Sequence, residues 1–431
     1  MKKFLALILA LVMALSLVAC GGGNDTPNNT DEPDDTAAKV KVGFITLHDE
    51  NSTYDLNFIN AAKEAIANLG LTEDDYILKT NVPEGQECYE AAVDMVDKGC
   101  NIIFADSFGH EPYMIQAAQE FPNVQFCHST GTRAHTEGLA NYHNAFASIY
   151  EGRYLAGIAA GMKLNEMIEN GTEINGVKVT KENAKIGYVG AFTYAEVVSG
   201  YTSFFLGARS VCPTVTMDVT FTGSWYDEAL EKEGAQLLID KGCNLISQHA
   251  DSLGAPTACE NAGVPNVSYN GSTKDAGPNT YIISSRINWA PYYEMAIKAV
   301  MDGTEIPADW TGDLSTGSVV LTELNTDVAA AGTQEAIDAA MAKLEAGELH
   351  VFDVSTFTTK ADDTMNSFKV DFLKVDAEGH ITSYLADVDT DEAYTGDTEV
   401  IENGYFAESV KRSAPYFDLQ IDGINLLNTA M

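Results

Sequence analysis

Four large aromatic residues, Phe58, Phe108, Trp225 and Trp289, each stand just past a run that reads as a β-strand. Asp55, Asp106, Asp251, Asn270 and Asn288 occupy positions of the same kind. Rings and carboxyl or amide groups in such places can hold a flat, polar molecule. The rings stack on its faces, at about 1–3 kcal/mol per base for a nucleobase, and the acids and amides hydrogen-bond to its edges. Each residue taken alone also fits a turn, a helix cap or core packing. Glu196 reads better as a charge at a helix start, where the helix dipole favours an acid. Arg153 reads as a clamp between helices.

Covalent chemistry has no matching set. The G-x-S-x-G, H-E-x-x-H, P-loop and G-x-G-x-x-G patterns do not occur. His48, His110, His128, His135, His143 and His249 are scattered, without the close spacing of metal ligands. The sequence therefore predicts no metal, no cofactor and no catalytic residues: a binder rather than an enzyme.

The elements that must position these residues form a repeat. Residues 90–108, EAAVDMVDKGCNIIFADSF, and residues 234–253, GAQLLIDKGCNLISQHADSL, share Asp-Lys-Gly-Cys-Asn, an apolar run and Ala-Asp-Ser. Each copy follows a strand pattern, Val40 to Thr46 in the first half and Ala184 to Gly190 in the second. Each reads as helix, glycine stop, buried strand and polar loop. Ligands of open parallel sheets bind past the carboxyl ends of the strands, where Asp106 and Asp251 fall. An internal repeat of this kind predicts two α/β lobes with parallel sheets. Tyr142 to Lys163, rich in Gly and Ala, is predicted as one helix packed close to a neighbour. Crossings between lobes are expected near residues 145, 283 and 313, and a hairpin near 368–385.

The chain has 431 residues, enough for two domains. Its net charge of −38 argues against nucleic acid and against docking on anionic lipid, since both need basic surface. Met1-Lys-Lys and the apolar run Phe4 to Val18 form a secretory signal too short to span a membrane. Leu17-Val-Ala-Cys20 ends it as a lipobox does, so Cys20 is the expected lipidation site; two acyl chains would suffice for a stable anchor. Residues 21–38 carry no large apolar side chain and should form a flexible acidic tether. Of seven cysteines, six then remain, an even number that permits disulfides; Cys100 and Cys243 read as small core residues.

Tyr150-Glu-Gly-Arg-Tyr-Leu-Ala-Gly, Gly187-Tyr-Val-Gly-Ala-Phe, Leu206-Gly-Ala-Arg-Ser, Thr222-Gly-Ser-Trp-Tyr-Asp, Gln248-His-Ala-Asp-Ser and Asn288-Trp-Ala-Pro-Tyr-Tyr carry a resemblance. With the lipobox and tether, the chain resembles the basic membrane protein family of ABC-transporter substrate-binding lipoproteins. That resemblance implies a type I periplasmic-binding-protein fold and a purine nucleoside or purine base as ligand. It implies Phe58 and Trp225 as the rings that sandwich the purine, with Asp55 and Asp251 bonding its edges. Nucleoside-binding members carry an aspartate where Asn270 stands and a lysine near Asn288. Without those charges the resemblance points toward a free base or another flat ligand.

The expected organisation is a signal peptide at 1–19, a tether at 20–38, lobe 1 at 39–147 plus 284–312, lobe 2 at 148–283 plus 313–350, and a C-terminal extension at 351–431 with a β-hairpin. Expected partners are a small molecule, an ABC permease and, through the anchor, the bacterial cell membrane, for an extracytoplasmic monomer. Expected ligand-binding residues are Asp55, Phe58, Phe108, Trp225, Asp251, Asn270, Asn288 and Trp289. A sugar or autoinducer-type binder and an extracellular nucleoside hydrolase are the alternatives.

Overall fold

A computed structural model describes residues 40–360, 366, 369, 371–388 and 396–430. The signal peptide, Cys20 and the tether lie outside the described residues.

Two parallel sheets organise the chain. The first contains β1 (Val42–Ile45), β2 (Tyr76–Lys79), β3 (Ile102–Ala105), β4 (Gln125–Ser129), β5 (Tyr142–Ala147) and, arriving much later, β11 (Asp309–Gly312), in the order β11-β5-β4-β3-β1-β2. The second contains β6 (Lys185–Gly190), β7 (Thr216–Phe221), β8 (Leu245–His249), β9 (Asn266–Tyr269), β10 (Tyr281–Ile287), β12 (Val319–Leu321) and β13 (Ile424–Leu426), in the order β12-β10-β9-β8-β6-β7-β13. Within these two sheets the β10–β12 pair is antiparallel and the other pairs are parallel. The helices of nine residues or more are α1 (Thr53–Asn68), α2 (Gln86–Asp97), α3 (Glu111–Glu120), α4 (Ile149–Asn170), α5 (Ala195–Val211), α6 (Glu228–Asp240), α7 (Gly254–Ala262), α8 (Ala290–Asp302) and α9 (Thr333–Glu345).

The repeated Asp-Lys-Gly-Cys-Asn does the same work twice. Each helix before it ends in a Schellman motif. Gly99 N donates to Val96 O at 2.9 Å and Cys100 N to Met95 O at 3.0 Å; Gly242 N donates to Ile239 O and Cys243 N to Leu238 O, both at 3.0 Å. The turn requires a left-handed residue, and the φ values are +87° at Gly99 and +85° at Gly242. The asparagine then sets the sheet register. Asn101 Oδ1 accepts from Lys41 N at 2.9 Å, and Asn244 Oδ1 accepts from Lys185 N at 3.0 Å. Cys100 and Cys243 are buried behind these turns, as expected of small core residues.

One expectation gives way here. Tyr142 to Lys163 is not one helix. Residues 142–147 form β5, flanked by β4 and β11, and α4 starts after Ser148. Tyr142 and Phe146 fit the buried pleat, and tertiary pairing overrides the helical spacing there. On α6, Leu230 and Leu237 are exposed, while Glu231 is buried and accepts from the main-chain N–H groups of Asp227 and Ser252.

The close helix packing is real. A Cβ on Gly157 would lie 2.0 Å from Phe204 O, and one on Gly207 2.0 Å from Tyr154 O, so α4 and α5 cross backbone against backbone. Arg153, on α4, clamps that helix both to α5, where its guanidinium stands 4.7 Å from the ring centre of Phe204, and to the second sheet. It donates to Ser268 O at 3.0 Å, Ser247 Oγ at 2.8 Å and Tyr188 Oη at 3.1 Å.

The chain passes between the sheets three times, at 148, at 288–289 and at 313–318. Residue 284 lies inside β10, in the second sheet, while α8 packs on α1 beside the first. The described residues after 350 pack mainly on the second lobe, with Phe352, Phe357, Tyr384 and Phe417 in its core and β13 added in parallel to β7; Ser409 and Ser413 also bond to β11 of the first sheet. They include an antiparallel pair, 373–375 with 381–386. The six cysteines from Cys88 onward are all buried free thiols.

Candidate functional site

The carboxyl ends of the strands in both sheets face one cleft that opens to solvent and encloses about 350 Å³ between its walls, open solvent included. Its lining is Leu47, His48, Tyr54, Asp55, Ser107, Phe108 and Thr130 from the first lobe, and Glu196, Trp225, His249, Asp251 and Asn270 from the second.

On the first lobe, the loop after β1 folds onto the start of α1. Ser52 caps the helix by accepting from Asp55 N, and its hydroxyl donates to Asp55 Oδ2 at 2.6 Å. His48 N donates to Asp55 Oδ1 at 2.7 Å, and its ring nitrogen lies 3.3 Å from Oδ2. Burial would raise the proton affinity of Asp55, but the bonds from His48 and Ser52 outweigh it and hold the carboxyl below its ordinary value. Asp106 behaves in the opposite way. Burial first, and then the charge of Asp55, push it well above the usual carboxylate range. The two neighbouring carboxyl groups are thus shifted in opposite directions. Tyr54 leans over both, its hydroxyl donating to Asp106 O at 2.8 Å. The loop bearing Phe108 is pinned by Glu84, which accepts from Ser107 Oγ at 2.5 Å and Gly109 N at 2.7 Å.

On the second lobe, Trp225 follows β7 and meets the rings of Phe192 at 5.1 Å and Tyr194 at 6.1 Å, within the range of aromatic pairs. Asp251 follows β8. Burial, then the charges of Asp55, Glu231 and Glu196, raise it well above its ordinary value, and Asn270 Nδ2 donates to it at 3.2 Å. His249 Nε2 lies 3.4 Å from Glu196 Oε1, and burial lowers its proton affinity despite that acid.

The lobes also touch directly. Thr53 N donates to Asp251 O at 3.0 Å, Asn57 Nδ2 to Asn270 O at 2.6 Å, and Phe108 meets Tyr194 at 5.3 Å between ring centres.

Five of the residues expected from the sequence come together here: Asp55, Phe108, Trp225, Asp251 and Asn270. Phe58, Trp289 and Asn288 do not line the cleft. The Phe58 ring stacks on Trp289 at 4.5 Å, both 1% exposed, in the first-lobe core. The reason is depth. Phe58 lies one turn beyond Tyr54 on a helix that points away from the cleft, about 6 Å further in. Asn288 closes a local turn at a crossing, one residue before the N-cap Trp289 of α8, its Oδ1 accepting from Ala290 N at 3.3 Å. Tyr54 is the ring that sequence reading missed, and its place in the first turn of the helix was the available signal. Glu196, read as a helix-start charge, is that and a lining residue as well.

The arrangement offers three aromatic faces and three carboxyl groups, and the lining contains no lysine or arginine. It suits a ligand that donates N–H or O–H groups and disfavours a phosphate. Among the described residues, no group of three or more side chains is placed to hold a metal ion.

Residues 42–347 match the family described as Bmp, ABC transporter substrate-binding protein PnrA-like. A purine-binding protein of Brucella abortus (strain 2308) is 33% identical over 269 residues, 62% of this chain and 70% of that protein. A candidate ABC transporter glucose-binding protein of Haloferax volcanii is 33% identical over 287 residues, 66% of each chain. An ABC transporter nucleoside-binding protein of Lactococcus lactis subsp. cremoris is 23% identical over 261 residues, 59% of this chain and 67% of that protein. In fold, the chain is similar to an ABC transporter solute-binding protein from Aeropyrum pernix K1, with a TM-score of 0.60, 17% identity, and coverage of 77% and 96% of the two chains. One from Conexibacter woesei DSM 14684 gives 0.56 and 22%, with coverage of 72% and 98%.

Proposed function

The chain belongs to the Bmp family of PnrA-like ABC transporter substrate-binding proteins, and from that membership we propose that its cleft captures a purine base or purine nucleoside for delivery to an importer's permease. The fold is the type I fold of periplasmic solute-binding proteins. Family members are solute-binding proteins that work outside the cytoplasmic membrane, and among the described residues no helix is long and apolar enough to cross one.

The observation that carries the purine reading is the pairing of Trp225, Tyr54 and Phe108 with carboxyl groups on both sides of one cleft. Flat faces stack, and the ring N–H and amino groups of a purine donate to Asp55, Asp251 and Glu196. The purine-binding and nucleoside-binding relatives support the same reading. Closure swings the lobes about the three crossings, and Thr53 and Asn57 latch onto Asp251 and Asn270. Cys20 anchors the monomeric protein to the membrane through its lipid, and residues 20–38 serve as the tether.

Mass spectrometry of ligand released from the purified protein, followed by calorimetry with adenine, adenosine, guanosine, inosine and AMP, tests this. A purine is expected to bind and AMP is not. Heat from none of the purines at millimolar concentration overturns the reading. A sugar reading draws on the Haloferax relative and on the carboxyl-rich cleft, which also suits hydroxyl donors. Glucose in the same titration decides between the two.

A further inference from the structure

The family match ends at residue 347, yet about eighty residues later the chain packs behind the loops that form one wall of the cleft. We infer that residues 427–430 form a strut that positions the second-lobe aromatic wall, with Asn428 as its positioning residue; this rests on reading the cleft as the ligand site.

The contacts are specific. β13 pairs with β7, the strand that leads directly into the Trp225 loop. Where the strand pairing stops, Leu427 N donates to Val219 O at 2.8 Å. Asn428 then stands in for one more strand residue with its side chain. Its Oδ1 accepts from Phe221 N at 2.8 Å and Thr220 Oγ1 at 3.1 Å, and its Nδ2 donates to Phe221 O at 2.8 Å. Ala430 pairs with the neighbouring loop. Its N donates to Thr193 Oγ1 at 2.9 Å, and its O accepts from Thr193 N at 2.7 Å. Thr193 lies between Phe192 and Tyr194, the two rings that contact Trp225.

The short tail therefore fastens two loops to each other from outside the cleft. One carries Trp225. The other carries Tyr194, which reaches Phe108 of the first lobe, and leads into Glu196. A loop without such bonds samples several arrangements, and a stacking ring that must be ordered on binding loses affinity. The strut removes that cost in advance.

The test uses full-length protein labelled with 5-fluorotryptophan. The three tryptophans give three ¹⁹F resonances, and Trp225→Phe identifies one of them. In Asn428→Ala, the Trp225 resonance should shift or broaden, while those of Trp289 and Trp310 stay in place. Adenine should bind about 3–10-fold more weakly, with faster dissociation, as expected for lost hydrogen bonds. Asn428→Asp keeps the acceptor and loses the donor, so it should fall between wild type and Ala. Removal of residues 428–431 should match or exceed the Ala effect. An unmoved Trp225 resonance overturns the strut, and so does a common movement of all three. If wild-type protein binds no purine, the ligand reading fails on its own, and the ¹⁹F spectra still decide the strut.

Discussion

Asn57 of the first lobe donates from Nδ2 to the main-chain carbonyl of Asn270 in the second lobe, at 2.6 Å. Asn270 is held at φ +64°, a left-handed conformation that asparagine tolerates and β-branched residues do not. Its side chain meanwhile donates to Asp251. One residue therefore both latches the lobes and orients an acid of the cleft. Asn57→Leu keeps the bulk and leaves that carbonyl without its donor, at about 1–3 kcal/mol. Ligand dissociation constants should rise by about 5–150-fold, and small-angle scattering of the ligand-free variant should show a larger radius of gyration. Unchanged affinity and radius would mean the contact plays no part in closure.

Trp225 is half-buried and is held by rings on its second-lobe side. Trp225→Ala should weaken purine binding by about 1–3 kcal/mol, read by calorimetry, with little change in melting temperature. Trp225→Phe should recover most of the loss. Equal binding by wild type and Trp225→Ala removes the ring from the site.

Several buried acids make stability depend on pH. Burial pushes Glu151 and Glu231 up to about 7 and Glu408 up to about 8, from an ordinary 4.5. A raised folded-state value means the folded chain binds the proton more tightly. The contribution is fully present below the unfolded value, near 4.3, and is lost as pH climbs through 7 to 8. The melting temperature should therefore fall between pH 5 and pH 8.5. Glu408→Gln keeps an acceptor for Tyr416 N and Phe417 N and should flatten that slope. A slope unaltered by Glu408→Gln, seen in calorimetric scans, would place the titration elsewhere.

The two register asparagines offer a matched pair. Asn244 is buried and Asn101 is exposed, although each accepts from the corresponding lysine N–H. Asn244→Ala should cost about 1–3 kcal/mol because the donor is left unsatisfied away from water, and Asn101→Ala about 0.5–1 kcal/mol. Urea melts of the two variants compare them directly, and equal losses would show that burial does not set the difference.

Much of this fold was legible because a whole supersecondary unit is written twice. A repeated Gly-Cys-Asn behind a helical pattern leaves few structures other than a glycine-ended helix feeding a buried strand. Polar residues after the strands were legible for the same reason, and Asp55, Phe108, Trp225, Asp251 and Asn270 meet in the cleft. Depth along a helix was not legible. Phe58 and Tyr54 are both aromatic and one turn apart, and only the direction of α1 decides which faces ligand. Asn288 and Trp289 follow a strand as Asp251 does, but at a crossing, where the chain turns toward the other lobe. The register between α6 and its sheet was likewise set by tertiary contacts that bury Glu231 and expose Leu230.

The six buried thiols have a further consequence. Burial pushes Cys100 up to about 11 and Cys127 and Cys243 up to about 12, so thiolate is scarce at neutral pH. They lie in both lobes, from α2 in the first to α7 in the second. These six thiols are therefore shielded from alkylating reagents in the folded protein, and each becomes countable by mass when the structure around it opens. The chain carries a built-in record of its own opening, with thiols in both lobes to read it.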